Sequence, residues 1–147
     1  MLESVMCKIG DIILISQIKD GTARIGAHPF LVLDDADGIV RGTYHYDFIA
    51  LLLSSNTTER KREKLFRFPG NFPISADDKI ITEEHYDNLD AFVEADQFFY
   101  FDKSEISYIQ LGRLDSEIFD LLLEFMDELK ADGVKFRQIV SNTSPIN

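Results

Sequence analysis

The stretch FIALLLSSNTTERKREK, residues 48–64, carries the reading of the fold. Its apolar part, FIALLL, reads as the body of a buried strand over residues 46–53. The run stops abruptly at Ser54 and Ser55 and gives way to a polar, strongly basic segment, so the strand ends in a charged loop. Working outward towards the N-terminus, Phe30 to Leu33 form another strand, opened by Pro29 and closed by the turn sequence DDADG. Before it, IILIS within residues 11–17 follows Gly10 as an isoleucine-rich strand buried on both sides. Lys19, Asp20 and Gly21 make a turn, and residues 22–28 are a small-residue loop, so these two strands form a hairpin.

Towards the C-terminus, Pro69, Gly70 and Pro73 allow only a short edge strand and an irregular excursion within residues 65–74. Residues 79–81 are short and β-prone, and 82–89 fit one or two helical turns. AFVEADQFFYF at 91–101 and SEISYIQLGRL at 104–114 supply two late strands. From Asp115 the period changes: Ile118, Phe119, Leu122, Phe125, Met126 and Leu129 recur at three- and four-residue steps on one helical face. Asp115 or Ser116 caps this long amphipathic helix, Gly133 ends it, and the tail after about residue 138 is expected to fray. No repeat and no linker divides the chain, which predicts a single, mainly β (α+β) domain over residues 1–147.

Composition narrows the function classes. The chain is 45% hydrophobic, enough for a packed core, and carries a net charge of −11, so its summed field repels nucleic acid unless positive charge is concentrated locally. It is concentrated: Arg60, Lys61, Arg62, Lys64 and Arg67 are five of the fifteen basic residues. The single cysteine, Cys7, forms no internal disulfide, and the N-terminus has neither a basic start nor a long apolar run. A cytoplasmic protein with no membrane span is expected.

His28, His45 and His85 lie far apart in sequence, and none has a ligand spacing with Cys, Asp or Glu, so no metal is expected. Asp34, Asp35 and Asp37 lack the glycine and glutamate of a calcium loop. No glycine-rich phosphate loop or nucleophile elbow is present, and no cofactor is expected. The remaining constellation sits at strand ends: His28 before one strand, Ser54 and Ser55 after another, and Asp96 with Gln97 in a late strand. A histidine exchanges protons near neutral pH, a hydroxyl holds a phosphate oxygen and a carboxylate serves as a base. Those are the parts needed to cut RNA through its own 2′-hydroxyl.

The order KIGDIILIS, GAHPFLVL, FIALLLSSN, VEADQFFYF and ISYIQLGRL, followed by a terminal helix, resembles the MazF/PemK family of toxin–antitoxin ribonucleases over roughly residues 8–130. The resemblance implies a small SH3-like β-barrel with a long C-terminal helix, a homodimer, metal-independent endoribonuclease activity on single-stranded RNA, and an antitoxin protein as partner. Gly10-Asp11 looks like the family's opening pair, Pro29 like its strand-opening proline, Ser54 or Ser55 like its Thr/Ser, and Asp96-Gln97 like its late Asp-Gln. Two positions depart from it: His28 stands where the family has an arginine, and Glu94 where members with Asp-Gln carry another.

Arginine neutralises charge developing on a scissile phosphate; histidine can protonate the leaving oxygen but glutamate repels the phosphate. The catalytic set expected on this basis is His28, Asp96, Ser55 and Arg24, the last replacing lost positive charge. Arg60, Lys61, Arg62, Lys64 and Arg67 would hold the RNA backbone, with Phe66 and Phe68 as stacking surfaces. The alternative is a non-catalytic barrel that acts as a protein-interaction module.

Overall fold

The computed structural model describes residues 7–19, 24–25, 28–55, 58, 63 and 67–140. The described strands are β1 (Asp11–Lys19), β2 (Arg24–Ile25), β3 (His28–Asp34), β4 (Gly38–Val40), β5 (Tyr44–Tyr46), β6 (Phe48–Ser55), β7 (Asn71–Ile74), β8 (Lys79–Ile81), β9 (Ala91–Glu94), β10 (Gln97–Phe101), β11 (Ser107–Leu114) and β12 (Arg137–Val140). One helix, α1 (Ser116–Ala131), separates β11 from β12. Over the described residues the protein is mainly β, with a curled, barrel-like sheet against which α1 packs.

Curling follows from the connectivity. The sheet can be followed through β7, β9, β6, β3, β1, β11 and β8. Its two ends, β7 and β8, are consecutive in the chain and joined only by a 3-10 turn, Ala76–Asp78. Strands at opposite ends of a flat sheet cannot be linked so briefly, so the sheet must bend back towards itself. Strand β6 sits in the middle, paired with β3 on one side through Phe30 opposite Leu52. On its other side it pairs with β9 through Leu53 opposite Val93 and then with β10 through Ala50 opposite Phe99. Three steps along β6 span six along its partner, so Ala95 and Asp96 bulge out and a single β-prone run becomes two strands with a sharp bend.

Alternation along the strands sends side chains to two cores. Ile12, Leu31, Leu51, Leu53, Val93 and Leu111 pack on one face with Leu122, Met126 and Leu129 of α1. Ile13, Ile15, Phe30, Val32, Phe48, Ala50, Phe99 and Phe101 pack on the other. That is why the β6 sequence reads as an unbroken apolar run: both of its faces are covered. Phe30 meets the edges of Phe99 and Phe101 at centroid distances of 5.1 Å each.

Helix α1 begins where Asp115 accepts a hydrogen bond from the Glu117 amide at 3.0 Å. It ends in a Schellman arrangement: the Gly133 amide donates to Lys130 and the Val134 amide to Leu129, with Gly133 at φ +84. Two local expectations are corrected. Residues 82–89 form no helix; the chain there turns at Glu83–Tyr86 and is otherwise irregular. Residues 137–140, partly assigned to a frayed tail, pair in parallel with β10, while residues 141–147 lie outside those described.

Leu122 is fully buried between helix and sheet. Leu122→Ala is expected to destabilise the fold by about 2–5 kcal/mol, read as a lower midpoint in urea unfolding.

Candidate functional site

Strand parity separates the sequence-derived candidates. His28 lies two residues from Phe30 and Ser54 two from Leu52, so both point to the face of the Phe30–Phe99 core. Carrying the register of Phe30 opposite Leu52 two residues outward sets His28 level with Ser54. Ser55 shares the opposite face with Leu53 and, with Pro29, Tyr86 and Asp87, lines a shallow cavity of about 210 Å³. His28 and Ser55 are thus on different sides of the sheet, and the hydroxyl on the histidine's side belongs to Ser54.

Ser54 does not stand alone. Its Oγ donates to Glu94 Oε2 across the β6–β9 ladder, and Gln97 Nε2 donates to Glu94 Oε1 at 3.4 Å. His28, Ser54 and Glu94 therefore follow one another on adjacent strands β3, β6 and β9, all half-buried. The sequence marked Glu94 only as a departure hostile to phosphate; its link to Ser54 depends on a cross-strand register that no local pattern encodes.

Asp96 sits in the bulge, its carboxyl pressed against Gly70, where a Cβ would collide with it. Backbone bonds fix the same spot: the Ala95 amide donates to the Gly70 carbonyl and the Arg137 amide to the Asp96 carbonyl, each at 2.8 Å. Arg24 belongs to β2 by its backbone, and its side chain lies outside the described residues. Arg60, Lys61, Arg62, Lys64 and Phe66 also lie outside them. Arg67 is exposed, and Phe68 beside it is 55% exposed.

A larger depression of about 390 Å³ is lined by Lys8, Ile9, Asp11, Ile80, Arg113 and Phe119 among others, and holds none of the catalytic candidates. Among the described residues, the group able to offer three metal ligands is His45, Asp47 and Asp102, whose ligand atoms lie within 4.8 Å of one another. The ring is already engaged, however: His45 Nδ1 lies 3.0 Å from Asp102 Oδ2 and Nε2 lies 3.8 Å from Asp47 Oδ1. The other oxygen of Asp47 accepts from the Lys103 amide, and that of Asp102 from Ser104. This cluster fastens the β4–β5 hairpin to the end of β10, and Arg41, whose guanidinium donates to the Gln138 carbonyl, fastens it to β12.

No family model matches the chain, and no curated protein matches it. What fold and site define together is a class: a curled β-sheet with helix α1 docked on it, bearing a His–Ser–Glu row across three neighbouring strands.

The hydrogen bond that His45 makes to the Asp102 carboxylate raises the His45 pKa above 6.5. Burial pulls the Asp102 carboxyl upward, but bonds from His45 and Ser104 outweigh it and hold it below 3.8. The histidine's contribution is thus complete below 6.5 and lost as pH rises through its raised value, and the aspartate's is lost only as pH falls below 3.8. The melting temperature of the wild type is expected to exceed that of His45→Ala by more at about pH 5.5 than at about pH 8.5. Equal differences at both would contradict this coupling.

Proposed function

We propose that the chain is a metal-independent endoribonuclease of the MazF/PemK toxin type, acting on single-stranded RNA with an SH3-like barrel as its scaffold. The observation that carries this reading is the position of the residues that bracket the basic run. Ser55 ends β6 on one side of this run in sequence, and on the other side Gly70 accepts a hydrogen bond from the Ala95 amide, next to Glu94. The described residues that bracket the most basic segment of an acidic chain, Ser55 and Gly70, therefore stand beside Ser54 and Glu94. Such a segment gives local attraction for phosphates where the net charge of −11 would otherwise repel them. Exposed Phe68 adds a surface on which an unpaired base can stack.

The chemistry needs no metal. Attack by the 2′-hydroxyl on the adjacent phosphorus requires a base to accept its proton and an acid to protonate the departing 5′-oxygen. His28, half-buried at the start of β3, is the acid of this scheme. A homodimer and an antitoxin partner go with the reading by resemblance. A second reading, a barrel that binds a protein without cutting RNA, draws on Glu94, whose carboxylate at one end of the row would oppose a bound phosphate.

Purified protein incubated in chelator with end-labelled single-stranded RNA should leave new 5′-hydroxyl ends, and His28→Ala should lose roughly 100-fold or more in rate. Intact RNA from folded wild type across the pH range would favour the binding module. RNA binding should weaken as salt rises, and replacing Arg60, Arg62 and Lys64 with alanine should flatten that dependence.

A further inference from the structure

We propose that Glu94 is the general base of this cleavage, the carboxylate that accepts the proton of the attacking 2′-hydroxyl, and that Ser54 is its positioning residue. The role rests on the ribonuclease reading above and reverses the sequence-level expectation for Glu94. Neither Asp96 nor Ser55 suits it: the Asp96 carboxyl is held against Gly70, and Ser55 faces the other side of the sheet.

Glu94 is held from two directions. Ser54 on β6 donates to one carboxylate oxygen and Gln97 on β10 to the other. A carboxylate offers about four lone-pair positions, so two donors fix its orientation and leave room for a substrate hydroxyl. The backbone beneath is fixed as well, because Glu94 pairs with Asn71 on β7 while its own strand pairs with β6. The floor on this face is apolar, formed by fully buried Phe30 and by Leu52.

His28 and Glu94 stand on strands separated by β6 and are offset by two residues along them, so their backbones are roughly 12 Å apart. With both side chains turned to the same face and Ser54 between them, a phosphodiester bound over the serine would have a carboxylate on one side and an imidazole on the other. Glu94 removes the proton from O2′, and O2′ forms its bond to phosphorus. The P–O5′ bond breaks, and O5′ takes a proton from the His28 imidazolium. The products are a 2′,3′-cyclic phosphate and a 5′-hydroxyl, with one proton moved from His28 to Glu94 through the substrate and returned through solvent. No oxidant, metal or nucleotide enters the balance.

The titratable groups around Glu94 are His28 on β3 and Asp96 two residues along its own chain; β7 offers Asn71, β6 offers Ser54 and β10 offers Gln97. An acid limb in the rate profile is therefore assigned by replacing these groups individually.

The test is single-turnover cleavage of end-labelled single-stranded RNA in chelator across a broad pH range, with RNA binding and melting temperature measured alongside. The wild type should show a bell-shaped profile. Glu94→Gln, nearly isosteric, should lose about 100-fold or more at the plateau and lose the acid limb, while binding RNA at least as tightly. Glu94→Asp should keep the limb at reduced rate, Ser54→Ala should lower the plateau rate while leaving RNA binding unchanged, and Asp96→Asn should leave the limb in place. Cleavage that Glu94→Gln leaves unchanged or speeds overturns the role of Glu94 and leaves the ribonuclease reading standing. Wild-type protein that leaves RNA intact overturns both. Should Glu94→Gln fail to fold, Ser54→Ala decides: a plateau rate equal to that of the wild type overturns the proposal.

Discussion

Strand β6 is the constraint on which the rest of the structure depends. It is bonded along one edge to β3 and along the other to two strands in succession, so residues far apart in sequence must converge on it. Phe48, Ala50, Leu51 and Leu53 are buried, and their side chains divide between two cores. An uncovered face on this strand would leave apolar surface in water, which is why the helix and the aromatic cluster are both needed to complete it. The step between β9 and β10 serves the same strand: the residues inserted at Ala95 and Asp96 bend its partner sharply where pairing passes from one to the other.

The same constraint builds the polar row. Strand β6 leaves the covered part of the sheet at Ser54 and Ser55, and its alternation sends these neighbours to opposite faces. Ser54 meets Glu94 because β9, unlike β10, is paired at that end. Ser55 instead borders a shallow cavity with Tyr86 and Asp87, from the irregular segment between β8 and β9. A one-residue change in parity thus decides which hydroxyl shares a surface with His28. The bulge has its own support, since Gly70 approaches so closely that any side chain there would strike Asp96.

Buried polar groups elsewhere are tied to structure rather than to the row. Lys79 is 7% exposed, and burial lowers its pKa despite the nearby Asp90 and Asp78 carboxylates. Its ammonium donates to the Leu89 carbonyl at 2.6 Å, while Asn88 and Asp90 bond to Ala76. Together these contacts lash the segment 82–90 across the join between β7 and β8. A buried amine with a backbone partner costs less than an orphaned one, and here it holds a stretch that has no secondary structure to hold itself.

Taken alone, the amino-acid sequence determines the strand-rich body, the approximate places of β1, β3, β6 and β11, and the capped helix with its buried face. These are local facts: an apolar run, a period of 3.6, an aspartate at one end and a glycine at the other. It also marks His28 and the basic run at 60–67 as the chemistry-bearing features of an otherwise acidic chain. Only the tertiary structure decides that His28, Ser54 and Glu94 share one surface, that Ser55 lies on the reverse side and that Asp96 is packed against a turn. The reason is register: partners in a sheet are chosen by strands dozens of residues apart, and a shift of one residue moves every side chain to the other face.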